Sequence, residues 1–281
     1  MSAPPLATRA GRALLVAWFL TPLLPLLLWA GANRWTYPAL LPQEWGGAGW
    51  SAALDAGAPA AFARSAVLGV VVAAIATPAG AMAARVLTLG RVRWPRLVSA
   101  VLLAPVALPP FAVVMGLDVL LLRARIPGGV GVALVLVVAA LPYTTYTMRV
   151  AYGGYDTGFE DEARTLGASP RAVRWKVSFP LLAPSLAGAA FLAFLVGWSD
   201  YIVTVLVGGG QLVTFPVLIA STASGTGNEA VVAALSLSSL LPPLVLLVSV
   251  ALMGRRRRHA PSGRRAAAVA AVPTERVGVR V

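Results

Sequence analysis

The residue types that most often do chemistry are nearly missing from this chain. It has no cysteine, and its one histidine, His259, sits in a basic run. Disulfides, thiolate or imidazole metal sites, cysteine nucleophiles and a Ser-His-Asp triad are therefore excluded. Its one lysine, Lys176, follows Trp175 and not glycine, so there is no phosphate-binding G-x-x-x-x-G-K-[ST] loop. No catalytic residue, metal site or bound cofactor is expected. What remains is carboxylates: a run of three, Glu160-Asp161-Glu162, and two, Asp118 and Asp200, at the edges of long apolar stretches.

The run of three lies in a well-specified segment. Thr157-Gly158-Phe159-Glu160 has the form of a capping box, which predicts a helix from Gly158 with Thr157 as its cap. The three acids then fall in its first turn, where the helix dipole favours negative charge. Gly167 is placed to stop the helix in a left-handed cap. Ser169-Pro170 has the residue types of an N-cap and first helical position, so a second helix begins there. It carries Arg171, Arg174 and Lys176 and runs on to Pro180. The product is an acidic helix, a sharp corner and a basic helix. A two-turn helix is marginal alone, so either it is a solvated connector or a partner's groove holds it.

The rest of the chain must position this segment, and it is built for lipid. Hydrophobic residues make up 58% and charged residues 12% of 281, with a mean hydropathy of +0.80. A soluble domain carries about 25% charged residues. A membrane-crossing helix needs about 20 mostly apolar residues. The charge-free runs predict six such helices, over 13–33, 65–84, 97–117, 130–148, 183–207 and 230–254, the fifth ended by Gly208-Gly209-Gly210. The fold class expected is therefore an all-α integral membrane protein. Its organisation would be a short N-terminus over 1–12, a membrane domain over 13–254 with a loop over 149–182, and a basic, disordered tail over 255–281.

Net charge is +13, yet the basic residues sit in short groups between uncharged runs, which argues for bilayer orientation and against nucleic acid. Of the 23 Arg and Lys, 19 fall on the side that holds both termini and the 149–182 loop. That side is expected to be cytoplasmic, with Arg255 to Arg258 anchored beside anionic lipid. Arg9, Arg12 and Ala30-Gly31-Ala32 imitate a secretion signal, but the apolar stretch is long and carries Pro22 and Pro25, so it is read as a retained span. On the other side, 33–64 with Trp35, Trp45 and Trp50 is expected to lie at the interface. The stretch Leu212 to Ala220 is too short to span.

The acidic segment resembles a motif of the permease subunits of type I ABC importers, E-A-A-x(3)-G-x(9)-I-x-L-P. Set Asp161 on the motif's Glu, and Ala163 takes the second Ala, Gly167 the Gly six residues on, and Val177, Phe179 and Pro180 the Ile, Leu and Pro places. Glu162 departs, putting a charge where a small residue usually packs. The resemblance spans roughly 64–253 and implies the type I ABC importer permease fold in the plasma membrane. It implies further that Glu160, Asp161, Glu162, Ala163, Leu166, Gly167 and Pro180 form the coupling loop to cytoplasmic ABC ATPase subunits, which bind the ATP. A second permease subunit, identical or not, and an extracytoplasmic solute-binding protein complete the assembly. Trp198-Ser199-Asp200-Tyr201 before Gly208-Gly209-Gly210 looks like the polyamine, ferric-iron and thiamine subgroup, with sugar-type permeases as the alternative.

On this reading the acidic helix, Glu160 to Leu166, moves as a rigid body and passes motion through Gly167 and the second helix to Pro180 and the fifth span. Asp118 and Asp200 are candidates for the substrate path, or else water-exposed carboxylates near Arg123 and Arg125. Pro105, Pro109, Pro110, Pro242 and Pro243 are expected to kink the third and sixth spans. A non-transport membrane protein would leave the Asp161–Gly167–Pro180 spacing unexplained. A secondary transporter should show repeated halves, which this sequence does not.

Overall fold

The computed structural model describes residues 6–90 and 92–258. The tail beyond 258 and the first five residues lie outside the described residues. The chain opens with α1 (Leu6–Leu20) and α2 (Leu23–Ala30), an antiparallel pair β1 (Ala32–Arg34) and β2 (Glu44–Trp45), and α3 (Ala48–Asp55). The helices α4 (Ala58–Leu89), α5 (Pro95–Ala107), α6 (Pro110–Arg123) and α7 (Gly128–Gly153) follow. Next come α8 (Gly158–Thr165), α9 (Pro170–Val173), a π-helical turn over Arg174–Ser178, and α10 (Phe179–Trp198). The chain then forms α11 (Ile202–Gly208), α12 (Phe215–Ala223) and α13 (Glu229–Arg258).

The centre is a packed trio, α4, α7 and α10. The buried face of α4 reads Ala61, Ser65, Leu68, Val72, Ala76, Gly80, Ala84, a helical stripe of mostly small residues. Hydrophobicity cannot drive one apolar helix onto another in lipid, so close approach of small residues does that work. Gly69 of α4 faces Gly197 of α10: a Cβ on Gly197 would stand 2.8 Å from the Gly69 Cα. The core of α4 and α7 (Val72, Val132, Leu136, Ala140) continues into a second cluster around Trp198 and Phe215. Here Trp198 Nε1 donates to the Ser239 carbonyl of α13 at 3.1 Å. The Phe215 N–H donates to Ser65 Oγ at 2.8 Å, fixing the start of α12 on α4.

The span pattern departs from six unbroken helices. Among the described residues, four stretches are long and apolar enough to cross a membrane: α4, α7, the continuous run Pro170–Trp198, and Glu229–Met253. The expected third span is a pair, α5 and α6, bent by 104°, and brings the number to five if counted as one. Its break has a local cause. Pro109 and Pro110 offer no N–H to Pro105 and Val106, and Leu108 and Pro109 take extended backbone, ψ 150° and 120°. The expected first span is broken at Thr21–Pro22 into helices of 15 and 8 residues.

The expected fifth span also needs correction. It stops at Trp198 and not at Val207, and the three glycines end the separate α11, with Gly209 and Gly210 at positive φ. By contrast α13 continues through Pro242 and Pro243. The Trp-rich stretch forms the β pair and α3, and the apolar stretch after the glycines holds the nine-residue α12.

The glycine contact between α4 and α10 is directly testable. Gly197→Val should lower the thermal midpoint of the detergent-purified protein, since overpacking a tight core costs about 1–3 kcal/mol. Gly188→Ala, on the same helix with no atom within 4 Å of the new Cβ, should leave it unchanged or slightly raised. Equal midpoints for Gly197→Val and the native chain would refute the close crossing.

Candidate functional site

The segment from Tyr152 to Ser178 folds into the corner that its residue types predict, with one substitution of parts. The start of α8 is capped by Asp156, whose Oδ1 accepts the Gly158 N–H at 2.8 Å. Thr157 has helical backbone angles, φ −70° and ψ −14°, and its hydroxyl makes no cap. The capping box is therefore not formed, because Glu160 turns away from the helix start and into the protein. Asp161 remains in the first turn, where the dipole favours it.

The far end of α8 closes as expected. Gly167 has φ +83°, its N–H donates to the Arg164 carbonyl at 2.9 Å, and the Ala168 N–H donates to the Ala163 carbonyl at 3.0 Å. That pair of bonds is the Schellman arrangement, and it needs a left-handed residue at Gly167. Ser169 then caps the next helix, its Oγ accepting the Ala172 N–H at 3.3 Å. The chain enters α10 through the π turn. The ring of Pro180 would crowd the Lys176 carbonyl in a regular helix and supplies no N–H, and a wider turn just before it relieves both.

Glu160 is the organising residue. Its side chain is 3% exposed, and four groups converge on the carboxylate. Arg85 of α4 and Arg164 of α8 each donate to Oε2 at 2.9 Å. The Tyr155 and Ser178 hydroxyls donate to Oε1 at 3.0 and 2.8 Å. Burial alone would push the carboxyl up, but the bonds from Arg85, Ser178 and Tyr155 outweigh it and hold the pKa at about 2, below the ordinary 4.5. Burial raises the pKa of the Tyr155 hydroxyl, which stays a donor.

The remaining acids face the other way. Asp161 (69% exposed) pairs only with Arg164 of its own helix among the described residues. Glu162 is exposed, Leu166 is 88% exposed, and Ala163 is half-buried. Pro180 is half-buried at the head of α10. Thus the motif splits into an inward carboxylate and an outward surface of two acids and a leucine. Glu162 projects outward, so its charge meets no packing neighbour that a small residue would have made.

Asp200 and Asp118 do not join this cluster. Asp200 occupies the break between α10 and α11 and caps the latter: Oδ2 accepts the Thr204 N–H and hydroxyl at 2.8 and 2.9 Å, and Oδ1 the Val203 N–H at 3.3 Å. It also borders a cavity of about 160 Å³ walled by apolar side chains, Pro105, Pro110 and Val135 among them. Asp118 is half-buried on α6, and among the described residues no ion pair joins it to Arg123 or Arg125. No three His, Cys, Asp or Glu among the described residues stand where they could hold a metal ion.

Four members of the cluster, Arg85, Tyr155, Arg164 and Ser178, are absent from the candidate site residues that the sequence singles out. Arg85 had a signal: it is the first charge after the apolar run 65–84, one turn before the end of α4.

Comparison with known proteins places this arrangement in context. The family described as binding-protein-dependent transport system inner membrane component matches residues 76–259. The spermidine/putrescine transport system permease protein PotC of Haemophilus influenzae is 29% identical over 188 residues, 66% of this chain and 73% of that protein. The putrescine transport system permease protein PotI of Escherichia coli is 26% identical over 69% of this chain and 68% of its own length. The trehalose transport system permease protein SugB of Mycobacterium tuberculosis is 28% identical over a shorter stretch, 45% of this chain and 46% of that protein. Among solved structures, a chain of a bacterial ABC transporter involved in the import of the acidic polysaccharide alginate superposes with a TM-score of 0.64. That match is 18% identical and covers 93% of this chain and all of that one, a likeness of fold.

The depressed pKa of Glu160 gives a pH signature with a defined sign. A carboxylate held below its unfolded value stabilises the fold fully above the unfolded pKa and loses that contribution as pH falls through the folded one. The gap in thermal midpoint between the native chain and Glu160→Gln should be constant from about pH 7 to 5 and close between about 4.5 and 2. A gap that is absent at neutral pH, or that survives at pH 2, contradicts the pairing.

Proposed function

The chain belongs to the family of binding-protein-dependent transport system inner membrane components, and from that premise we propose that it couples solute import to a separate ATPase through α8. The observation that carries this reading is the split of the motif. Glu160 is buried and neutralised within the chain, while Asp161, Glu162 and Leu166 are left on an outward surface that no element among the described residues covers. A helix of eight residues that is rigidly capped at both ends, yet presents acids and an exposed leucine, fits a groove of opposite charge. The partners of this proposal are cytoplasmic ABC ATPase subunits, a second permease subunit and an extracytoplasmic solute-binding protein.

The same reading orients the protein. With α8 facing the ATPase, the ends of α4, α7 and α13 nearest the loop are cytoplasmic, as is the C-terminus. That agrees with the excess of Arg and Lys on the loop side and with an inner-membrane location. ATP binding and hydrolysis belong to the partner. This chain supplies the solute path, and it shifts between inward- and outward-facing states only as far as its partners bind those states differently.

For the solute, the polyamine-type reading is supported by the two polyamine permeases matched over 66% and 69% of this chain. It is supported also by the Asp200 carboxylate beside an apolar cavity, a setting that suits a cation with an aliphatic stem. Asp118, half-buried on α6, is a second candidate along the path. The sugar-type alternative has the trehalose permease in its favour, over 45% of the chain.

The coupling role is tested at Gly167. With φ at +83° and no atom within 4 Å of a new Cβ, any effect of substitution there comes from backbone strain and not from crowding. Valine in the left-handed region costs about 1–2 kcal/mol or more. Gly167→Val should insert and express normally but strongly reduce solute uptake and solute-stimulated ATP hydrolysis. Gly167→Asn, which tolerates that region better, should be milder. Native uptake by Gly167→Val would show that this corner does not couple.

A further inference from the structure

The covalent links from α8 to the membrane helices are both turns that contain glycine. Behind it lie Gly153 and Gly154, joining it to α7, and ahead lies Gly167, leading to α9. Its packing is chiefly on α9 and the π turn, which belong to the α10 side of the structure. By itself this arrangement would pass a push on α8 to α10 alone, through a corner.

The Arg85–Glu160 pair adds a route that bypasses both turns. Arg85 stands one turn from the end of α4, the helix with the most extensive contacts to α7 and also a long seam with α10. Its guanidinium donates to Glu160 Oε2 at 2.9 Å, and the carboxylate it meets is almost wholly shielded from water. A charge-assisted bond in such a place is short and strong, and it resists screening by salt. Glu160 is also tied to the π turn by Ser178 at 2.8 Å, so one carboxylate joins α4, α8 and the base of α10.

We propose that Arg85 is a positioning residue for transport: acting through Glu160, it fastens α8 to α4, so that motion delivered to α8 moves α4 and α10 together. This rests on the transport reading of α8 given above. The design of the cluster makes the proposal separable from folding. Without Arg85, Glu160 keeps Arg164, Tyr155 and Ser178, so α8 stays neutralised and capped. Arg85 is itself 41% exposed, so a methionine there can keep the aliphatic stem without burying a new void.

The test uses the full complex, this chain with its ATPase, second permease and binding protein, reconstituted in liposomes, reading solute uptake and ATP hydrolysed together. Arg85→Met should retain the ATPase subunit and hydrolyse ATP, while uptake falls by about 10-fold, the scale of losing one bond to a charged group. ATP consumed per solute therefore rises. Arg85→Lys, which keeps the cation, should restore the ratio, and Arg85→Gln should not. An Arg85→Met complex with the native ATP-to-solute ratio overturns the proposal, even if its melting temperature drops, since that is the signature of a structural role. Failure of the transport reading would look different, because the native chain would then recover no ATPase at all.

Discussion

One buried carboxylate sets the geometry on which the loop end of this protein depends. A charge taken out of water is tolerated only if it is paired and hydrogen-bonded. Glu160 meets that condition with two guanidiniums and two hydroxyls drawn from four places in the chain. Because its partners come from α4, from the turn after α7, from α8 itself and from the base of α10, one carboxylate ties these elements together. Glu160 thus does for the loop what packing does inside the membrane.

Inside the membrane the constraint is different. Small residues along α4, and the pair Gly69 and Gly197, allow backbones to approach where no hydrophobic gain is on offer. Among the peripheral helices, α5 buries no residue fully and α6 only Val114. The densest packing therefore lies among α4, α7 and α10, with the bent pair α5 and α6 at their edge. The glycine-flanked α8 sits at the end of this trio, tied to it through Glu160 by Arg85 and Ser178.

Much of this was legible in the residues. The corner of the loop could be read because its parts act locally: Gly167 supplies a left-handed cap and Ser169 an N-cap whatever surrounds them. The membrane class followed from composition, and the loop's family resemblance agrees with the family match over 76–259. What could not be read depends on contacts distant in sequence or on cumulative strain. Glu160 was expected to serve the helix dipole, but Arg85, 75 residues away, draws it inward, and Asp156 takes the capping role. The kink of the third span could be read from Pro105, Pro109 and Pro110, but its size, a bend of 104° that splits the span into two helices, could not. The fifth was read as ending at Gly208-Gly209-Gly210 because the apolar run continues to Val207, and the break before α11, where Asp200 caps the new helix, leaves no mark in hydropathy.

The central claim is that the outward face of α8 lies in an ATPase groove. The most direct measurement is site-specific photo-crosslinking from Leu166, which is 88% exposed on that face. A photoreactive amino acid at this position, activated in native membranes, should yield a covalent adduct with a nucleotide-binding subunit, identified by mass spectrometry and absent when peripheral subunits are stripped before activation. Adducts only with lipid, or only within this chain, would contradict the account.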